Sequence, residues 1–221
     1  MTERDSTICL KATHYLSIEG PYIDRIGSEG TLNISTECAA NRLERDGKQH
    51  HVTLVSPPEM SKILKQAGGR KARKQYMQQL VQDIHERFGN SEDWQRPIDL
   101  GQGRCVVESS VTYFRVLHWP FGQYVRLFFG LQPSHFHITL GFDPKDIHQY
   151  KGPGALDVLS GHASCTRLDL DRLSALAWLY KEDYAFISAL FKQAIRLCHL
   201  SVAVRAGFLC LRGSGRQDKV G

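Results

Sequence analysis

Two histidines are each followed two residues later by a threonine, in His51-Val52-Thr53 and in His137-Ile138-Thr139. An imidazole both takes and gives protons near neutrality, and a hydroxyl donates hydrogen bonds to an anion. In extended chain, residues two apart share a face with Cα atoms roughly 6.5–7 Å apart, so the His and Thr of one pair reach the same small group. Threonine is stiff at χ1, so its hydroxyl is held with little further loss of freedom. Two such pairs facing one another set two imidazoles and two hydroxyls around one point. That set suits a tetrahedral phosphate. Hydroxyls hold the non-bridging oxygens, a neutral His takes a proton from water, and a protonated His supplies the departing oxygen. With both imidazoles near an unperturbed pKa of about 6.5, the rate is expected to peak around neutrality.

The two pairs sit in similar strings, His50-His51-Val52-Thr53-Leu54-Val55 and His135-Phe136-His137-Ile138-Thr139-Leu140-Gly141-Phe142. His51 and His137 are 86 residues apart, and the shared order His, β-branched aliphatic, Thr, Leu marks an internal repeat. The second string alternates apolar and polar residues with the period of a strand. His135, His137 and Thr139 are expected on one face, and Phe136, Ile138 and Leu140 on the other.

Paired His-x-Thr motifs at this separation, the second reading His-Ile-Thr-Leu-Gly, resemble those of the 2H (two-histidine) phosphoesterases. That superfamily includes the LigT-like RNA cyclic phosphodiesterases and the cyclic phosphodiesterase domains of tRNA ligases. The run from His135 to Tyr150 is similar to the Swiss Army Knife RNA-repair branch, and the compatible order of elements covers about Ala12 to Ile147. The resemblance implies an α+β fold in which antiparallel sheets line a central cleft, with helices outside. It implies a metal-independent phosphoric diester hydrolase that needs no cofactor, acting on RNA or a nucleotide with a 2′,3′-cyclic phosphate end, in RNA repair or processing. His51 and His137 would be catalytic, with His51 the acid and His137 the base, and Thr53 and Thr139 would bind phosphate.

Other readings of the same residues stay open. His135 shares the expected face of His137, so the two could form a metal pair completed by Asp143, Asp146 or His51; a metal-dependent hydrolase would follow. His135 could instead support the site or touch substrate. A third reading is an RNA-binding module without turnover, against which the presence of both His and both Thr weighs. His50 should point away from His51. His14, His85, His118, His148, His162 and His199 are expected as surface or satisfied core histidines.

The elements that must position these groups can be followed along the 221 residues. Ala12–Glu19 reads as a first strand ended by Gly20-Pro21, and 27–47 as a loop with some helix near Glu37–Leu43. His50–Ser56 is the first motif strand, cut by Pro57-Pro58, with a short helix over Glu59–Gln66. From Arg70 to Phe88 apolar residues recur every four positions, which predicts an amphipathic helix. Its start, Arg70-Lys71-Ala72-Arg73-Lys74, is the densest basic cluster, so Lys71 and Arg73 are candidates for substrate contact; the alternative is a solvated face. Pro97–Val107 and Val111–His118 predict a hairpin, Pro120–Leu131 a helix, and Asp143-Pro144 a helical turn through His148. Leu168–Tyr180 and Asp183–Leu200 read as helices. One two-lobed domain over 1–200 is expected, with a C-terminal extension over 201–221 whose end is disordered.

Composition narrows the class. The apolar share is 42% and the charged share 23%, ordinary for a globular chain, and the net charge of +5 fits an anionic partner. The six cysteines are scattered without Cys-x-x-Cys pairs, which argues against a zinc ribbon and for reduced thiols in a cytoplasmic or nuclear protein. No signal peptide or membrane span is expected.

Overall fold

Each His-x-Thr pair lies at the third strand of a three-stranded antiparallel sheet, His51 one residue before its strand and His137 within its own. The computed structural model describes residues 7–29 and 34–214. The first sheet runs β1 (Cys9–Ala12), β2 (Leu16–Glu19) and β3 (Val52–Val55) in order; the second runs β4 (Ile98–Val107), β5 (Ser110–His118) and β6 (Phe136–Asp143). The repeat in sequence is therefore a repeat of architecture. β3 and β6 each end the strand order of their own sheet and touch one another, so the two motifs meet along one seam. The chain is α+β, with two antiparallel sheets as expected.

Helices fill the connections. α1 (Pro21–Glu29) and α2 (Thr36–Asp46) lie between β2 and β3, α3 (Pro57–Leu64) and α4 (Arg70–Phe88) between β3 and β4, and α5 (Pro120–Phe128) between β5 and β6. After β6 come α6 (Asp157–Ser160), α7 (Arg167–Ala175), α8 (Tyr184–Arg196) and α9 (Leu200–Ser214). No helix among the described residues is long and apolar enough to cross a membrane.

Alternation along the motif strands decides what faces what. Val52 and Leu54 of β3 and Phe136, Ile138 and Leu140 of β6 are buried in one core with Leu16, Ile18, Ile84 and Trp119. His51, Thr53, His137 and Thr139 are only half-buried. Across the β5–β6 ladder Val116 stands opposite His137 and Phe114 opposite Thr139, and cross-strand partners share a face. Phe114 and Val116 belong to a second core, built with Leu156, Leu170, Phe186, Leu190 and Ala206. The helices after β6 thus cover the same face of the second sheet that carries His137 and Thr139.

Gly141, the last residue of the second motif, has a packing reason. α2 crosses β6 there, and a Cβ on Gly141 would stand 2.8 Å from the Cys38 backbone. Any side chain would push α2 off the strand. Asn41 of α2 donates to the Phe142 carbonyl at 3.0 Å and fastens the crossing.

The motif strands are also tied from behind by Arg126, which is 4% exposed. Its guanidinium donates to the Leu54 carbonyl of β3 at 2.8 Å, to Glu59 at 2.6 Å and to the Gln132 carbonyl before β6 at 2.8 Å. Arg126 holds the Glu59 carboxyl down at about 2, although burial acts in the other direction. Arg126→Met is expected to lower the unfolding free energy by about 3–5 kcal/mol, because it removes one partner of the pair and leaves the half-buried Glu59 carboxylate and the Leu54 and Gln132 carbonyls unpaired; urea denaturation measures this. Since the folded pKa of Glu59 is depressed, its share of stability is present above its unfolded value and fades as pH falls toward 2. A loss below about 1 kcal/mol, on the scale of an exposed pair, would remove this tie from the account.

Four sequence expectations are corrected. Ala12–Glu19 is not one strand: Thr13 N–H donates to the Tyr15 carbonyl at 3.0 Å and the chain turns back into the β1–β2 hairpin. Gly20-Pro21 ends β2 but also opens α1, since proline suits the first helical position. The helical turn expected after Asp143 is absent. Residues 144–149 are held as an irregular loop instead, with Ile147 N–H on the Thr112 hydroxyl at 2.8 Å. Finally, disorder expected from Arg212 onward does not begin there: Ser201–Leu211, apolar enough for strand or helix, is helical within α9, whose Val202, Ala203, Ala206 and Leu209 are core residues, and Arg212–Ser214 continue the helix. The rest of the polar tail, 215–221, lies outside the described residues.

Candidate active site

His51 sits at the threshold of β3 and His137 inside β6, near enough that a charge on His51 disfavours protonation of His137. Thr53 follows on β3 opposite the buried Ser17 of β2, and Thr139 follows on β6. The seam therefore brings together the imidazoles that the sequence paired and carries both hydroxyls on their strands. Tyr15, in the β1–β2 turn, adds an aromatic wall, its ring centroid 5.9 Å from that of His51.

The two imidazoles sit in different fields. Burial is the main reason the His137 pKa drops to about 3; the ammonium of Lys151 adds to the fall, while the His135 backbone and Asp146 oppose it. The ring packs edge-on to Phe114 at 6.0 Å, and Nδ1 is sealed from solvent without a hydrogen bond of ordinary geometry. His51 is also pushed down by burial, but the charge acting on it most is the Asp46 carboxylate, which pulls upward, joined by Glu19 and opposed by Arg45 and Arg42.

Charged residues cross-brace the seam. Arg45 of α2 clasps Asp46 through two nitrogens at 2.7 Å, reaches Asp146 at 2.6 Å and lies 4.6 Å over the Phe142 ring. Asp146 in turn accepts from Lys151 at 2.8 Å. Shared by two cations, the Asp146 carboxyl is held at about 2 against the effect of its own burial. Sequence reading missed Arg45 and Lys151 entirely and saw Asp146 only as a metal ligand. Nothing local marks them, because Arg45 and Asp146 meet across about a hundred residues of chain.

His135 stands one residue before β6, which begins at Phe136, as His51 stands one residue before β3. The His135 ring turns to the C-terminal helices: Nε2 lies 3.6 Å from Asp183, and the ring meets Tyr150 edge-on at 4.9 Å and stacks on Tyr180 at 6.4 Å. Tyr150 donates to the same Asp183 carboxylate at 2.6 Å, and that carboxylate also caps α8 through Phe186 N–H at 3.0 Å. Among the described residues no group of three or more His, Cys, Asp or Glu could hold a metal ion. His50 is buried toward Asp24 and Gly27 of α1, away from the seam as expected.

The basic cluster divides. Arg73, with Arg70 and Lys74, lines a surface groove of about 740 Å³ between α4 and the β1–β2 turn, where Thr13 and His14 form the other wall. Lys71 is exposed and is not one of the lining residues. The groove adjoins the seam through rings: His14 packs on Tyr15 at 4.8 Å, and Tyr15 on His51 at 5.9 Å.

Residues 14–148 match the family described as Swiss Army Knife, 2H phosphoesterase domain. Comparison with curated proteins gives no match, and comparison with solved structures gives none. The matched span holds both His-x-Thr pairs, Arg45, Asp46 and Asp146, and stops short of Lys151 and the C-terminal helices.

Proposed function

The chain belongs to the 2H phosphoesterase family, in its Swiss Army Knife branch, and from that premise we propose that it hydrolyses a 2′,3′-cyclic phosphodiester at an RNA end, with His51 and His137 as its acid and base. The observation that carries this reading is the contact between β3 and β6, which brings the two motif strands together along one seam. The Thr53 and Thr139 hydroxyls hold the non-bridging oxygens and neutralise charge that grows as water attacks phosphorus. His137, half-buried and held neutral, takes a proton from that water. His51 gives its proton to the leaving ribose oxygen as the ring ester opens to a monoester. One P–O bond forms, one breaks, and the proton added by His51 replaces the one taken by His137.

The unequal fields support this direction, since groups whose surroundings push their proton affinities apart divide the roles of acid and base between them. Asp46 and Glu19 favour the charged form of His51, whereas burial and Lys151 favour the neutral form of His137. The groove of Arg70, Arg73 and Lys74 gives the chain upstream of the reacting end a place for its phosphates. Cyclic ends arise when RNA is cut by its own 2′-hydroxyl, so a role in RNA repair or processing follows.

An oligoribonucleotide ending in 2′,3′-cyclic phosphate, incubated with the protein in excess chelator, tests the proposal. One phosphomonoester isomer should accumulate, with the phosphate on a single ribose oxygen. An unchanged cyclic end, or turnover only when a divalent metal is restored, would contradict it.

A further inference from the structure

Lys151 lies beyond the span matched to the family, yet it is only 4% exposed. A buried ammonium is costly unless paired. Its Nζ donates to Asp146 Oδ1 at 2.8 Å, while Asp146 Oδ2 accepts from Arg45 at 2.6 Å, so one carboxylate serves two cations. Arg45 has a further carboxylate in Asp46. The only salt bridge of Lys151 among the described residues is to the shared Asp146. Part of the ammonium field is therefore left over, and it points into the second sheet. Nζ stands 5.7 Å over the Phe114 ring, and that ring lies 6.0 Å from the ring of His137.

Other charged or titratable groups bear on His137. They are Asp146 on the same loop as Lys151, His51 across the seam, and Arg45 of α2, which reaches it through Asp146, while His135 acts only through its backbone. β5 faces it with Phe114 and Val116, which carry no charge. Lys151 is thus the cation set behind one imidazole, whereas the charge acting most on the other is the Asp46 carboxylate. The motifs are equivalent by repeat, and their surroundings are not.

We infer that Lys151, held in place by Asp146 and Arg45, is a positioning residue that reinforces the direction of proton flow, adding to burial in keeping His137 the acceptor while His51 stays the donor. This rests on the two-histidine reading above and adds to it what distinguishes base from acid. Lys151 acts through His137 and does not reach substrate, since its ammonium is buried and already bonded.

The test is a titration of the substrate-free protein labelled with ¹⁵N-histidine. In the wild type, His137 should keep its neutral signature down to the onset of acid unfolding. In Lys151→Met its midpoint should rise by about one pH unit, the effect of one unit charge at roughly 10 Å in an effective dielectric of about 20. Lys151→Arg keeps the charge and should titrate as wild type. Should Lys151→Met fail to fold, Lys151→Gln removes the charge but still donates to Asp146, and the same rise is expected. An unmoved midpoint in a folded neutral variant overturns the inference. Because the spectrum needs no substrate, that result counts against Lys151 alone, whereas a protein inert on cyclic phosphates counts against the hydrolytic reading beneath it.

Discussion

Replacing His51 or His137 by alanine is expected to lower kcat/KM on a 2′,3′-cyclic phosphate by about 10²–10⁴-fold each, the usual worth of a positioned proton-transfer group. The two losses should differ in kind. Without His51 the leaving ribose oxygen departs without its proton, so a substrate whose leaving group is a weaker base should recover much of the lost rate. Without His137 the attacking water keeps its proton, and a better leaving group should not help as much. His137 is half-buried against Phe114, so His137→Asn, which preserves more of the shape, separates catalysis from packing. The combined variant should lose little more than the worse single one, because groups that act as a unit are not additive. Near-wild-type rates in both alanine variants would put the chemistry elsewhere.

The threonines come next in size. Thr53→Val and Thr139→Val keep a β-branched residue on each strand and delete one hydroxyl. Each should cost about 2–4 kcal/mol of transition-state stabilisation, or roughly 30–1000-fold in kcat/KM, if the hydroxyl meets charge that develops on the phosphoryl oxygens. The loss should fall mainly on kcat. Thr53 stands opposite Ser17, which is 2% exposed, so a structural hydroxyl pair is the competing explanation at that position. Steady-state kinetics beside thermal melting decides: normal kinetics with a lowered Tm would assign the hydroxyl to the sheet.

Much of this was legible because local rules governed it. α4 spans Arg70–Phe88 as its four-residue recurrence required, and the β4–β5 hairpin and β6 fall within a residue or so of expectation. The apolar side of β6 is buried at Phe136, Ile138 and Leu140 as its alternation demanded. Reading failed where one residue type has two uses or where partners are remote. Pro21 ends one element and starts the next, so α1 was hidden among glycines and serines. Arg45, Asp146 and Lys151 were unreadable as a set, because only the crossing of α2 over β6 brings them together. The C-terminal helices show the same limit: their periodicity is plain, but not that they cover the His137 face of the second sheet.

That cover moves the pH dependence away from neutrality, where the unperturbed imidazole value of about 6.5 had placed it. The active form carries one proton, on His51, with His137 neutral. Its acid limit is the His137 pKa of about 3, and its alkaline limit is that of His51, which burial lowers below the usual imidazole range. Between pH about 3 and about 6.5 the unfolded chain binds a proton that buried His137 refuses. Stability from this group is therefore complete above about 6.5 and drains as pH falls toward 3. The acid limb will overlap acid unfolding, which leaves the alkaline limb as the one to read.

The most direct test is kcat/KM on a 2′,3′-cyclic phosphate as a function of pH, in excess chelator. The account predicts a bell centred on the acid side of 6.5, already falling by neutrality, with two apparent pKa values that belong to the pair. A rate that climbs steadily through neutrality and collapses on chelation would mean that a metal-bound hydroxide is being titrated, and that two histidines sharing one proton are not the catalyst.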